Sequence, residues 1–139
     1  MTDYNDKARA IILAALMVFS VFAGTVALSG SAAAASGLAN TSLSNQTVDE
    51  QTTVTHTASF NISDVSADGS ADTVTVNVPT DGTVTGVSSL SATNNTTDVL
   101  DGSASTTSNT VSFDVNPSGA NTDANIAVSF DVTINWGSV

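Results

Sequence analysis

The chain has 139 residues, room for one domain at most, and thirteen acids against two basic residues give it a formal charge of −11. A surface of that sign repels phosphate, which excludes nucleic acid as a partner. Cysteine is absent, which excludes a disulfide scaffold, a thiol nucleophile and a thiolate metal site.

The charges are unevenly placed. Lys7 and Arg9 are the only basic residues, so everything after residue 34 carries eleven acids, ten Asp and Glu50, with no Lys or Arg. In dilute buffer such self-repulsion weakens a small fold. At molar salt the Debye length falls to about 3 Å and most of the penalty is screened. Short, strongly hydrated carboxylates without lysine suit brine, and we read the chain as that of a halophile.

In chain order, residues 1–34 read as a secretory signal peptide with a signal helix. Lys7 and Arg9 form a positive start, residues 10–28 are nineteen uncharged and largely apolar positions, and a run of alanines closes the segment. Cleavage is expected after Ala34, with Ala35 as the next choice. Two alternatives use the same residues. Nineteen apolar positions are about enough to cross a bilayer, so the segment could stay as an anchor, the chain's one route to a membrane. Arg9-Ala10 before Ile11-Ile12 could instead be a pilin-type processing site, with residues 11–28 retained as a packing helix. The alanine run favours cleavage.

The stretch from Lys7-Ala8-Arg9-Ala10-Ile11-Ile12 through Leu16-Met17-Val18-Phe19-Ser20-Val21-Phe22-Ala23-Gly24, ending in Gly30-Ser31-Ala32-Ala33-Ala34, looks like the signal peptide of haloarchaeal S-layer and related surface glycoproteins. The resemblance covers about a quarter of the chain. It implies export by the general secretory route to an extracellular or cell-surface location. Our own reading is a structural glycoprotein of the cell envelope that contributes to the surface layer, with other surface proteins or further copies of the chain as partners; an alternative is a secreted module that binds carbohydrate or protein, with Trp136 as its aromatic candidate.

Residues 35–51 are largely polar, with apolar interruptions at Leu38 and Leu43, and read as a flexible linker. From Thr52 the pattern turns to period two, the signature of half-buried strands. Val54, Ala58, Phe60 and Ile62 share one face, and so do Val74, Val76 and Val78. A third run covers residues 83–87. Val111, Phe113 and Val115 alternate with Ser112 and Asp114. The longest run places Ile126, Val128, Phe130, Val132, Ile134 and Trp136 on one side. Turn clusters separate the runs at Asp68-Gly69-Ser70, Pro79-Thr80-Asp81-Gly82, Asn94-Asn95, Asp101-Gly102 and Asn116-Pro117-Ser118-Gly119. The expected fold is all-β: a small antiparallel β-sandwich of immunoglobulin or fibronectin type over residues 52–139, with a thin core.

The chemical signal is N-x-S/T, the acceptor motif for N-linked sugar, at Asn40, Asn45, Asn61, Asn94 and Asn95. Asn40 and Asn45 are expected to be the most accessible, and Asn94 and Asn95 to compete for one loop. Asp64, Asp68 and Asp72 recur every four residues around Gly69, and Asp98 and Asp101 follow Asn94 and Asn95. Loop carboxylates can hold Ca²⁺, but neither cluster has EF-hand spacing, and we read both as solvated acidic loops rather than metal sites. His56, the one histidine, is expected to be structural, and Trp136 to close the core. With one His and no Cys or Lys after residue 34, general-base options are nearly gone; paired carboxylates could in principle hydrolyse a glycosidic bond, but a thin sandwich without long loops is expected to offer no cleft for a sugar. No cofactor is expected, and the chain is not read as an enzyme.

Overall fold

The fold is described from a computed structural model over residues 26–29, 37–44, 51–118 and 124–137. The described residues form nine strands: β1 (Val26–Ser29), β2 (Gly37–Leu43), β3 (Thr53–Val65), β4 (Asp72–Asn77), β5 (Gly82–Asn94), β6 (Thr97–Asp98), β7 (Leu100–Thr106), β8 (Thr110–Val115) and β9 (Ala124–Trp136). They form a four-stranded sheet in the order β1-β4-β8-β7 and a five-stranded sheet in the order β2-β3-β9-β5-β6. Every pairing is antiparallel. The expected antiparallel sandwich is therefore what the chain forms.

Val and Thr dominate the strands because a branched Cβ suits a pleated, half-buried surface. Alternation then sorts the side chains. Val74, Val76, Val111, Phe113 and Val115 of the first sheet are buried, and so are Ala58, Phe60, Ile62, Ile126, Val128, Phe130, Val132 and Ile134 of the second. Phe130 binds the layers together. Its ring meets Phe60 at 6.4 Å and 87° and Phe113, from the opposite sheet, at 6.1 Å and 63°. These are edge-on geometries that favour aromatic pairs beyond the area they bury.

The N-terminal boundary of the sandwich differs from the sequence reading. The segment assigned as a linker contains β2, paired with β3, and Leu43 is buried. Leu38 and Leu43 are five residues apart, which places them on opposite faces of a regular strand. A bulge between Ala39 and Ser42 absorbs the extra residue, so Leu38 lies opposite Ile62 and Leu43 opposite Ala58, both inward-facing. Farther upstream, Val26–Ser29 is strand rather than helix, lying along β4 from Val76 to Thr73. The rest of the leader-like segment, with Lys7, Arg9 and Ala34, lies outside the described residues.

The same device recurs elsewhere. Bulges in β3 (between Ile62 and Val65), in β5 (between Ser88 and Ser91) and in β7 (between Asp101 and Ser105) each contain one residue of positive φ: Asp64 at 59°, Ser89 at 54° and Gly102 at 85°. Asn40, at 52°, plays that part in β2. Asn and Asp enter this left-handed region at lower cost than most residues. The third predicted run is thus only the start of β5, and the Asp101-Gly102 turn is a bulge within β7.

Gly82 lies opposite Trp136 at the start of β5. A Cβ there would come within 2.8 Å of Ile134 Cγ2 and 3.2 Å of Trp136 Cζ3. Gly82→Ala is expected to cost about 1–3 kcal/mol by overpacking. Phe130→Ala is expected to cost about 3–5 kcal/mol, whereas Ala127→Ser on the exposed face should stay within about 0.5 kcal/mol. Urea unfolding of the three variants checks this order.

Candidate functional site

The surface that carries the candidate chemistry is built from the outward residues of the central strands. On the second sheet, Thr57 Oγ1 donates to Asp131 Oδ1 at 2.7 Å, Thr55 and Thr133 join their hydroxyls at 3.0 Å, and Ser59 Oγ donates to Ser129 Oγ at 3.3 Å. The first sheet repeats the pattern. Thr73 Oγ1 donates to Asp114 Oδ1 at 2.6 Å, and Thr75 and Ser112 meet at 3.3 Å. Loop acids use backbone donors instead: Ser70 N–H reaches Asp68 Oδ1 at 2.8 Å and Leu100 N–H reaches Asp98 Oδ1 at 3.0 Å.

Neutral donors therefore hold the negative charge. The Thr57 hydroxyl, helped by Ser89, keeps the Asp131 carboxyl below the ordinary carboxylate range. The backbone N–H of Ser70 does the same for Asp68. Such carboxylates favour the fold above their unfolded-state pKa and lose that contribution as pH falls through the folded one.

The sequons fall into different environments. Asn95 is exposed in the two-residue loop that joins Asn94 of β5 to Thr97 of β6, with φ 57°. Asn94 is half-buried as the last residue of β5. Asn40 is exposed, but on the bulge of an edge strand rather than in a free tail. Asn61 is half-buried in mid-sheet, flanked by Ala39 on β2 and Ala127 on β9. Asn45 lies outside the described residues.

His56 is 1% exposed. Its Nε2 lies 3.2 Å from the indole N–H of Trp136, and its Nδ1 lies 3.1 Å from the carbonyl oxygen of Ser44. An indole only donates, so Nε2 accepts and Nδ1 carries the proton to Ser44. The rings meet edge to face at 5.6 Å and 87°. Both imidazole nitrogens are engaged inside the fold. Trp136, 6% exposed, is buried as core and offers no face for a sugar to stack on.

Among the described residues, two buried side-chain oxygens lack a hydrogen-bond partner: Asp72 Oδ2 and Asn116 Oδ1. Asp72 stood in an acidic run in the sequence, but its inward orientation follows only from the register of β4. Asn116 looked like an ordinary turn residue. Among the described residues, no three His, Asp or Glu side chains gather as a metal cluster, and no helix is long and apolar enough to cross a membrane.

Fold and surface together define an acidic antiparallel sandwich that displays sugar-acceptor motifs on its edge and loop. Part of the chain is similar to proteins named Cell surface glycoprotein 1 and Cell surface glycoprotein 2 of Haloarcula hispanica, at 66% and 63% identity over 38 residues. Each match covers 27% of this chain but only 4% of the relative. A Cell surface glycoprotein of Haloferax gibbonsii is 66% identical over 32 residues, 23% of this chain and 4% of that protein. No family model matches the chain, and no solved structure matches it.

Two outcomes are expected at this surface. Thr57→Val should move the Asp131 carboxyl back up toward the usual range, read as an upward shift of its NMR titration midpoint. The imidazole ¹⁵N spectrum at neutral pH should show a protonated Nδ1 and a bare, accepting Nε2. A mobile mixture of tautomers there would contradict the Ser44–His56–Trp136 chain of hydrogen bonds.

Proposed function

We propose that the chain is an exported cell-surface glycoprotein of a halophilic archaeon, a non-enzymatic structural module of the surface layer. The observation that carries this reading is its 66% identity, over 38 residues, to a haloarchaeal protein named Cell surface glycoprotein 1. The geometry is compatible: the outer faces are hydroxyl and carboxylate ladders, and two sequon asparagines, Asn40 and Asn95, are exposed. Its partners in this reading are other surface proteins or further copies of itself. Catalysis has little support, because the single histidine has both nitrogens occupied in the interior.

One observation favours the second reading, a retained N-terminal segment that anchors the chain or packs it into a pilin-like filament. Val26–Ser29 is paired into the first sheet as β1, and a cut after Ala34 would remove it. A secreted binding module is less supported, since its aromatic candidate, Trp136, is buried.

Intact-mass analysis and N-terminal sequencing of the native protein from cell-surface and medium fractions test these readings. The structural-glycoprotein reading expects a start at Ala35 or Ser36 and added sugar mass, mapped to Asn95 or Asn40 before Asn61. A start at Ile11 selects the filament reading. An unmodified 13.9 kDa polypeptide confined to the cytosol would overturn both.

A further inference from the structure

We propose that Asp68, Asp72 and Asn116, at one end of the first sheet, form a binding site for a hard divalent cation, with Ca²⁺ the best match. Register brings the three together. Asp72 opens β4 opposite Val115, and Asp68 forms an isolated bridge with Ser118. These two pairings close a short ring of chain, residues 68–72 against residues 115–118, and Asn116 lies within it. Gly69, at φ 84°, turns the chain between the two acids.

The interior side of this ring has acceptors that lack donors. Asp72 points to the same side as Val74 and Val76 and is only 4% exposed, yet its Oδ2 has no hydrogen-bond partner. Asn116 Oδ1 is likewise buried and unpartnered. Leaving such groups unmatched is costly, far more so for a charge than for an amide. No lysine or arginine after Arg9 is there to pair with Asp72. Burial pushes the Asp72 carboxyl up, and the neighbouring Asp68 charge adds to the effect. A cation held between the two carboxylates would turn that repulsion into attraction.

The donor set chooses the ion. Two carboxylates and an amide oxygen, with no nitrogen or sulfur ligand, suit a hard cation rather than zinc or copper. Ca²⁺ accepts about six to eight oxygens in loose geometry, so backbone carbonyls and water would complete its shell. With only two carboxylates, the affinity belongs with extracellular modules, at a Kd of about 0.1–1 mM. The second acidic run has no such feature: Asp98 and Asp101 are both exposed, and neither has a buried oxygen without a partner.

Thermal unfolding of the full chain, followed by circular dichroism at fixed ionic strength, tests the site. In the wild type, Ca²⁺ should raise the midpoint with the logarithm of its concentration once above Kd, by about 5 °C at ten times Kd, and Mg²⁺ should do less. Asp72→Asn should unfold at a higher temperature than wild type in chelator at neutral pH, because a buried charge is gone, and should not respond to Ca²⁺. Asn116→Asp should lower the Ca²⁺ concentration needed. Asp68→Asn changes an exposed residue and decides the matter if Asp72→Asn does not fold: it should lose most of the response. No Ca²⁺ shift in the wild type would overturn the proposal. So would an equal shift in wild type and Asp68→Asn, or an Asn116→Asp variant that is destabilised without a stronger Ca²⁺ response.

Discussion

A β-domain with carboxylates and no ammonium or guanidinium groups must meet every negative charge with something else. Hydroxyls, backbone N–H groups, side-chain amides, water and dissolved cations remain. Four of the described carboxylates show this: Asp131 and Asp114 take threonine hydroxyls, and Asp68 and Asp98 take backbone N–H groups. Threonine serves twice, since its branched Cβ stiffens the strand and its hydroxyl faces outward as a donor. Asp72 is the exception, buried where neither kind of donor reaches its second oxygen.

The same constraint shapes the interior. With ion pairs unavailable to the domain, cohesion falls to apolar contact and neutral hydrogen bonds. β9 lies between β3 and β5 and sends Phe130 across to Phe113, so the layers share one ring cluster. At one end of that strand, Trp136 donates to His56, and His56 donates to Ser44, just beyond β2. That chain of hydrogen bonds ties together β9, β3 and the segment after β2.

Much of the sandwich was legible in the sequence because its central strands keep strict alternation. Val74, Val76, Val111, Phe113, Val115 and the inward residues of β9 from Ile126 to Trp136 are where period two puts them. The strands that escaped are those whose period is broken by bulges. Leu38 and Leu43 in β2, and Val84, Val87 and Ala92 in β5, have irregular spacing yet lie opposite inward residues. An Asn, Asp or Ser of positive φ marks three of these interruptions, but such residues are too common in this chain to announce a bulge. β1 was hidden for another reason: Val26–Ser29 belongs to an apolar segment that has a second, sufficient explanation as a leader. The candidate site was half legible. Sequons and acids are visible as motifs, whereas the isolation of Asp72 and Asn116 depends on which side of β4 faces inward and on a bridge between distant turns.

Taken with the partial similarity to haloarchaeal surface glycoproteins, these features fit a module in which salt supplies the cations that the chain does not. Urea unfolding in KCl from about 0.1 M to 3 M, at neutral pH and without divalent ions, tests that dependence directly. The free energy of unfolding should keep climbing into the molar range, with an unchanged urea slope. A value that is flat across the series, or that falls with added KCl, would contradict it.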